Sequence, residues 1–429
     1  MPSHAHRFVA LLLMVAFLLA CIPDDVYWLP DNRHCIVWIE QPMVVDTQDG
    51  AAEPLPLPDL DKNIEFFSAT HDLKRLAVWT NKGAQIYEKT KTGYRKARFL
   101  DGVKFSIGRL WSPSGNRLLL TRGISSHQAT LSIWNVETGR LTDLTQLFDS
   151  KNDITFQCFW VDEDRIVVIQ MHDVTNQNDT GEKPLYAFLG KCLLLDLSDE
   201  TTRTLAANLK IPEASNLLNL VAPDEYNNRI FVAETNSILF IDLDSGQQRR
   251  LYPFRLLEAQ WPLFFTVISG LRYNPDVETL IFTAREHPDG AGNLYQVDLT
   301  RTEERSYNPF PWILSEKRTV RAVAATPLTH FHKVSAFNAS PSPHGDKLAY
   351  FLDLPKGGIG LVVQRNNLWQ SAFIPDAENK MLLIKDLNNE RDRLFTTRDE
   401  ADSANDWAEW AVKIINDRLN EDGRKKTVR

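Results

Sequence analysis

His330 and His332, two residues apart in THFHK, are the nearest thing in this chain to a metal-ligating pattern. On a strand they would share one face, and His287 or Gln364 could complete a set of ligands. Ten histidines in 429 residues readily produce one such pair, so the segment reads first as a solvated loop, and no metal or cofactor is assigned. The aspartates of DLDSG (242–246) are of the right type for calcium but lack the twelve-residue spacing, and turn formation accounts for them. No G-x-S-x-G, H-E-x-x-H, C-x-x-C, Walker loop or G-x-G-x-x-G occurs, and GGIG at 357–360 is too short to cradle a phosphate, so no catalytic residue is identified. Trp38, Trp79, Trp111, Trp134 and Trp160 recur near strands, where core packing explains them better than stacking on sugars. Trp261, Phe264, Phe265 and Trp369 lie in long insertions and are the candidate anchors for a protein partner, with burial as the competing role.

One further residue carries chemistry through its position. Arg7 precedes an unbroken apolar stretch from Phe8 to Ala20, followed by Cys21 and the polar Pro23, Asp24 and Asp25. Thirteen apolar residues span roughly 20 Å as a helix, short of a bilayer's hydrocarbon core, so residues 1–20 read as a signal peptide rather than a membrane span. Leu18, Leu19, Ala20 and Cys21 resemble the bacterial lipobox. That resemblance implies cleavage between Ala20 and Cys21, a diacylglycerol on the Cys21 sulfur and a second acylation at the new N-terminus, which together hold a protein to a bilayer. It also implies the periplasmic face of the outer membrane in a two-membrane bacterium, since Ile22 rather than an aspartate follows the cysteine.

The formal net charge is −8, and loss of Arg7 with the leader takes it to −9, leaving no general basic surface for a nucleic-acid backbone. With 43% hydrophobic and 24% charged residues the chain is of ordinary globular composition. Cys35, Cys158 and Cys192 have no paired spacing and are expected as small buried thiols, with no disulfide framework.

The elements that must position all of this come from a two-part pattern that recurs seven times. A turn rich in Pro, Asp, Gly and Asn leads into an apolar run: LPDNRHCIVWI from Leu29, THDLKRLAVWT from Thr70, SPSGNRLLLTR from Ser112, VDEDRIVVIQ from Val161, APDEYNNRIFVAE from Ala222, NPDVETLIFTA from Asn274 and SPHGDKLAYFL from Ser342. Each is followed by a second strand running into an acidic or glycine turn, as in LSIWNVETGRLTDL from Leu131, ILFIDLDSGQQRRL from Ile238, LYQVDLTRTEERSY from Leu294 and MLLIKDLNNERDRL from Met381. With an apolar stretch before most turns, every repeat offers about four short antiparallel strands. Such a sheet is apolar on both faces and buries them only by stacking on neighbours, and closing the array into a circle removes the unburied ends. The fold expected is therefore an all-β, seven-bladed β-propeller over 26–397, with six or eight blades as alternatives.

The repeats at 112–144 and 342–351 resemble the TolB-like, WD-related propeller repeat, whose consensus runs from a Ser-Pro-Asp-Gly turn into a strand. Asn32, Leu73 and Val277 stand where that repeat usually has glycine. Long insertions are expected at 171–191, 257–271, 308–337 and 352–380, the last holding a supernumerary hairpin. After the repeats, 402–423 shows helical spacing of Trp407, Ala411, Ile414, Ile415 and Leu419, and an amphipathic helix with a basic tail is expected over 398–429.

The organisation expected is thus a leader (1–20), a lipidated cysteine with a short tether (21–25), the propeller and the terminal helix. The function expected is an envelope lipoprotein whose propeller binds or scaffolds a protein partner and which meets the lipid bilayer through acylated Cys21. A carbohydrate-active lyase or hydrolase, or a sensor of glycans or small molecules, is the alternative.

Overall fold

The computed structural model describes residues 26–385 except 40, 49–50, 61–63, 106, 126–127, 148–154, 174–187, 212–219, 225, 257–261, 287–289, 308–317, 330–334, 355–357, 366–367 and 376–380. The leader, Cys21, Trp261, the histidine pair and the expected C-terminal helix fall outside the described residues. Among the described residues no helix is long and apolar enough to cross a membrane.

The described chain is nearly all β and arranged as a propeller. Six hydrogen-bonded sheets follow one another in sequence. The largest, of nine strands, consists of two antiparallel meanders, 221–256 and 267–327, whose outer strands meet in parallel at Tyr252–Phe254 and Ala322–Ala324. The other meanders are 26–54, 64–101, 104–143, 155–211 and 336–385; in the order of the chain, the seven are called first to seventh below.

Apolar residues occupy both faces of the middle strands. In Arg75–Thr80 all five residues from Leu76 are buried, as a strand sandwiched between two sheets requires. One core runs continuously from the first meander to the fourth and a second from the fourth to the sixth. Ring closure joins the two ends of the chain: Val26, Cys35, Val37 and Val45 of the first meander pack with Ala349, Phe351, Leu361 and Val363 of the seventh. Among the described residues neither of these sheets borrows a strand from the other, so side chains and single hydrogen bonds close the ring.

First strands lie innermost. Val221–Asp224 touches Val267–Asn274, which touches Ala336–Pro341, which touches Val26–Trp28. In the third meander the first strand is split, and its second half, Ile107–Arg109, pairs in parallel with the first strand of the fourth, Thr155–Trp160. Strands of equal rank therefore run the same way around the ring. The turns between first and second strands, and between third and fourth, share one face, called the turn face below.

Backbone geometry supports the alignment of repeats. Asn32, Leu73, Gly115 and Gly345, each two residues before the second strand's first paired residue, all have φ between 55° and 70°. Glycine is needed most at 115, where a Cβ would sit 2.8 Å from the Thr70 methyl of the neighbouring meander. Asn32 and Leu73 accept the left-handed conformation without glycine. In the sixth repeat Glu278, not Val277, takes this conformation, because Pro275–Val277 first winds one helical turn under an Asn274 cap.

Two strand assignments differ from the sequence reading. LTRTEERSY does not turn: Asn293–Tyr307 is a single strand of 15 residues, and the fourth strand of that meander is Arg318–Pro327, within the stretch read as an insertion. No glycine or proline interrupts the segment, and a bulge between Val297 and Thr302 absorbs the irregularity. In the seventh meander Gly358–Arg365 and Leu368–Pro375 are the third and fourth strands and Met381–Lys385 the fifth. The hairpin read as supernumerary is integral, since Leu361 and Val363 are the residues that pack on the first meander.

Candidate functional site

The most regular chemistry in the molecule lies on the turn face. The residue that opens the second strand is basic in six of the seven meanders: His34, Arg75, Arg117, Arg165, Arg229 and Lys347, with Thr279 in the sixth. Five of these cations reach forward into the turns of the next meander. Arg75 donates to the Gly115 carbonyl (2.8 Å), to Asn116 and to Glu137 (3.2 Å). Arg117 pairs with Glu163 at 3.1 Å and lies over the Trp160 ring. Arg165 donates to Asn228 (2.9 Å), and Arg229 to the Tyr273 hydroxyl (2.9 Å) and Glu278 (3.2 Å).

Lys347 completes the circle. Its buried ammonium donates to the Asn32 carbonyl (2.7 Å) and to Thr47 Oγ1 (3.3 Å), while the Asn32 amide donates to Asp346 (2.9 Å). Asn32 is the foremost cause of an Asp346 pKa below the usual carboxylate range, and it outweighs the opposing effect of burial. The two positions without such a reach lie at seams held differently. His34 stays with Asp31 and Asp46 of its own meander, and the first seam is aromatic, with Tyr27 edge-on to Phe67 and Trp38 to Phe66. At Thr279 the sixth and seventh meanders are joined from the opposite face, where the Ala336 N–H donates to the Gly292 carbonyl and the Gly292 N–H to Ser335 Oγ.

One of these cations also borders a cleft. Between the fifth and sixth meanders, where the outer strands close the wedge, lies a space of about 300 Å³ including its open mouth. Arg229, Arg249 and Arg321 line it together with Phe231, Phe240 and Glu278. Arg229 is held by Asp224, Tyr273 and Glu278, with its guanidinium over the Phe231, Phe240 and Tyr273 rings. Burial pushes the Asp224 carboxyl up, but the hydrogen bonds from Asn227 and Arg229 outweigh it and leave the pKa lowered. Arg249 lies 4.0 Å from the Phe240 centroid, and Arg321 donates to Thr302 Oγ1 at 2.9 Å.

Of the residues singled out in the sequence, Phe265 is 1% exposed and packs against Phe282 and Tyr295, and Phe264 is 8% exposed against Phe254. Both rings are buried, the competing role read for them from the sequence, and the insertion folds back as Pro262–Phe264 on the outer strand of the fifth meander. Trp369 lies in a strand opposite Gln364. Gln364 is buried and bonded to the Tyr350 hydroxyl and the Leu328 carbonyl. Trp261, His287, His330, His332, Ala20 and Cys21 lie outside the described residues. The five recurring tryptophans are buried, and Asp242 of DLDSG accepts the Ser245 N–H and hydroxyl as a turn former. Cys35, Cys158 and Cys192 are buried free thiols. Among the described residues no group of three His, Cys, Asp or Glu is arranged for a metal ion.

The sequence reading passed over the basic position. Its signal was present in the quoted repeats, where Arg or Lys immediately precedes the apolar run in five of seven.

No protein-family model matches the chain, and no curated protein does. Among solved structures it is similar to a prolyl endopeptidase (10% identity, TM-score 0.49, 88% of this chain and 57% of that one). It is also similar to dipeptidyl peptidase 4 of Porphyromonas gingivalis (12%, 0.46, 86% and 60%). A third is the β-propeller domain of the trilobed protease of Pyrococcus furiosus (12%, 0.44, 82% and 92%). The chain spans less than two thirds of each of the two peptidases.

Proposed function

We propose that the chain is a lipid-anchored, exported, seven-bladed propeller of TolB-like kind that holds a protein partner at a bacterial envelope membrane. The observation that carries this reading is the distance in sequence between Cys21 and the ring: the innermost strand begins at Val26, so Ile22–Asp25 form the whole tether. Four extended residues reach about 14 Å at most, which keeps the propeller close to the lipid. The first strand runs from this tether toward the turn face, so the turn face is turned away from the bilayer and is the surface offered to a partner.

The test is photo-crosslinking in living cells from exposed turn-face positions, Glu137 and Asp244, against Gln41 on the opposite face, in the wild type and in Cys21→Ala. The reading expects one protein adduct from the turn-face positions that is lost with Cys21→Ala. Adducts from Gln41 alone, or an unchanged adduct in a soluble Cys21→Ala protein, would contradict it. A carbohydrate-active enzyme at His330 and His332 is the competing outcome, and it requires bound metal in the purified protein that disappears in the double alanine variant.

A further inference from the structure

We propose that the cleft between the fifth and sixth meanders is a binding site for a small ligand bearing a doubly charged oxyanion, phosphate foremost. The inference does not depend on the lipid anchor or on the protein partner.

The argument is one of charge that the fold leaves unmatched. Three guanidinium groups, those of Arg229, Arg249 and Arg321, line one cleft whose single lining carboxylate is Glu278. Arg229 takes that carboxylate, and takes Asp224 as well. Arg249 and Arg321 have no acidic partner among the described residues. Arg249 rests against Phe240, and Arg321 uses one donor on Thr302. Each guanidinium carries five N–H donors in a planar fork, so most of these donors have no partner among the described residues.

Like charges brought together in this way repel one another. Burial first, and then Arg321 and Arg229, lower the Arg249 pKa, and Glu278 only partly opposes them. Other arginines of this chain of formal net charge −8 are ion-paired, across seams as at Arg75, Arg117, Arg165 and Arg255 or within a meander as at Arg33 and Arg250. Arg249 and Arg321 are exposed, make one contact each, with Phe240 and Thr302, and between them offer an anion two guanidinium groups that carry no ion pair among the described residues. Two forks matched to two charges favour phosphate or sulfate over a single carboxylate. The aromatic wall of Phe231 and Phe240 excludes water from one side and strengthens the electrostatic interaction. The space of about 300 Å³ includes open solvent at the mouth, so the oxyanion itself is the group held there and the rest of a ligand stays outside.

The experiment is a titration of the purified full-length protein with inorganic phosphate and with pyrophosphate at constant ionic strength. Binding is read by calorimetry and by the thermal midpoint, with potassium chloride as the control. Saturable binding of phosphate is expected, weakened tenfold or more in Arg249→Ala and in Arg321→Ala. Without phosphate each variant is expected to change the midpoint only slightly, because it loses one exposed contact, Arg249 with Phe240 or Arg321 with Thr302, together with a repelled charge. Arg249→Gln, which keeps the stem over Phe240, is expected to behave as Arg249→Ala does. No saturable binding, or affinity within threefold of wild type in both alanine variants, overturns the proposal. A second arm uses vesicles of phosphatidylcholine with 30% phosphatidylglycerol: Arg249-dependent capture by these vesicles in the absence of phosphate binding would assign the charge to a lipid surface and overturn the small-ligand site.

Discussion

The contact between the third and fourth meanders gives the sharpest test of the idea that the recurrent basic residue clasps one meander to the next. Arg117 and Glu163 meet at 3.1 Å, with side chains 27% and 37% exposed, and Asp164 lies at 3.5 Å on the solvent side. Partial exposure discounts the Coulomb term, so the coupling between the two side chains is set at about 0.5–1 kcal/mol, the upper part of the range for ion pairs in water. Arg117→Met loses this and the cation–π contact with Trp160 at 5.4 Å, worth about 0.5–1 kcal/mol more, for a total of about 1–2 kcal/mol. Glu163→Gln keeps an acceptor for the Ser114 N–H and removes only the charge. Urea unfolding of wild type, both single variants and the double variant yields the coupling as the departure from additivity, provided the denaturant slopes agree. Raising salt toward about 1 M is expected to shrink the coupling without abolishing the single-variant costs. Additivity within about 0.3 kcal/mol would refute the reasoning, because the guanidinium would then be a solvated cation that happens to face the next meander.

Three further outcomes follow from the same geometry. Lys347→Met removes a buried charged donor at ring closure, and its hydrogen bonds are worth about 1.5–3 kcal/mol. At about 2.1 cal/mol/K for each of the 360 residues from Val26 to Lys385, the calorimetric midpoint should fall by about 2–4 °C, and an unchanged midpoint would count against the closure network. Asp72, Asp224 and Asp346 all have folded-state pKa values below the ordinary 3.8, Asp72 at about 2, where bonds from Lys74 and Thr70 outweigh burial. Their contribution is therefore complete above about pH 5 and is lost as the unfolded chain takes up protons first, between about pH 5 and 2; stability that rises on acidification through this window would contradict the assignment. Burial pushes the Cys35 thiol up to about 12 and raises that of Cys192. At pH 8 iodoacetamide should therefore leave both unmodified in the folded protein and modify both in guanidinium chloride, as read by peptide mass spectrometry.

Much of the fold could be read from the residues because its determinants are local. The turn before each second strand depends on a few residues at fixed offsets, and even where glycine is replaced, by Asn32 or Leu73, the apolar run that follows kept the repeat recognisable. Strand assignment failed where that local signal was weak. TRTEE looks like a turn by composition, yet nothing in it blocks extension, and the long-range partner Arg318–Pro327 decided the matter. MLLIK looked like a sandwiched strand, but the burial that distinguishes a third strand from a fifth is a property of the ring and not of the segment. The clasp was recoverable in principle, since its basic residue has a fixed place in the repeat. Its acidic partners do not: Glu137 and Asp244 come from turns after third strands, Glu163 and Glu278 from turns before second strands, and only packing of each meander on the next brings them within reach. The arginine cleft was beyond any local reading, because Arg249 and Arg321 are some seventy residues apart and become neighbours only where two outer strands meet in parallel.

The account depends most on the first and last meanders being neighbours. Spin labels at Gln48→Cys and His344→Cys, both exposed on the turn face, measure this by pulsed dipolar spectroscopy, with the buried native thiols taking no label. Gln48 adjoins Thr47, which accepts from Lys347, and His344 donates its N–H to Asn32, so a closed ring gives a label separation below about 25 Å once side-chain reach is included. Meanders stacked in an open row, each about 10 Å from the next, would place the same labels roughly 60 Å apart, and a distribution centred there would contradict the closed propeller.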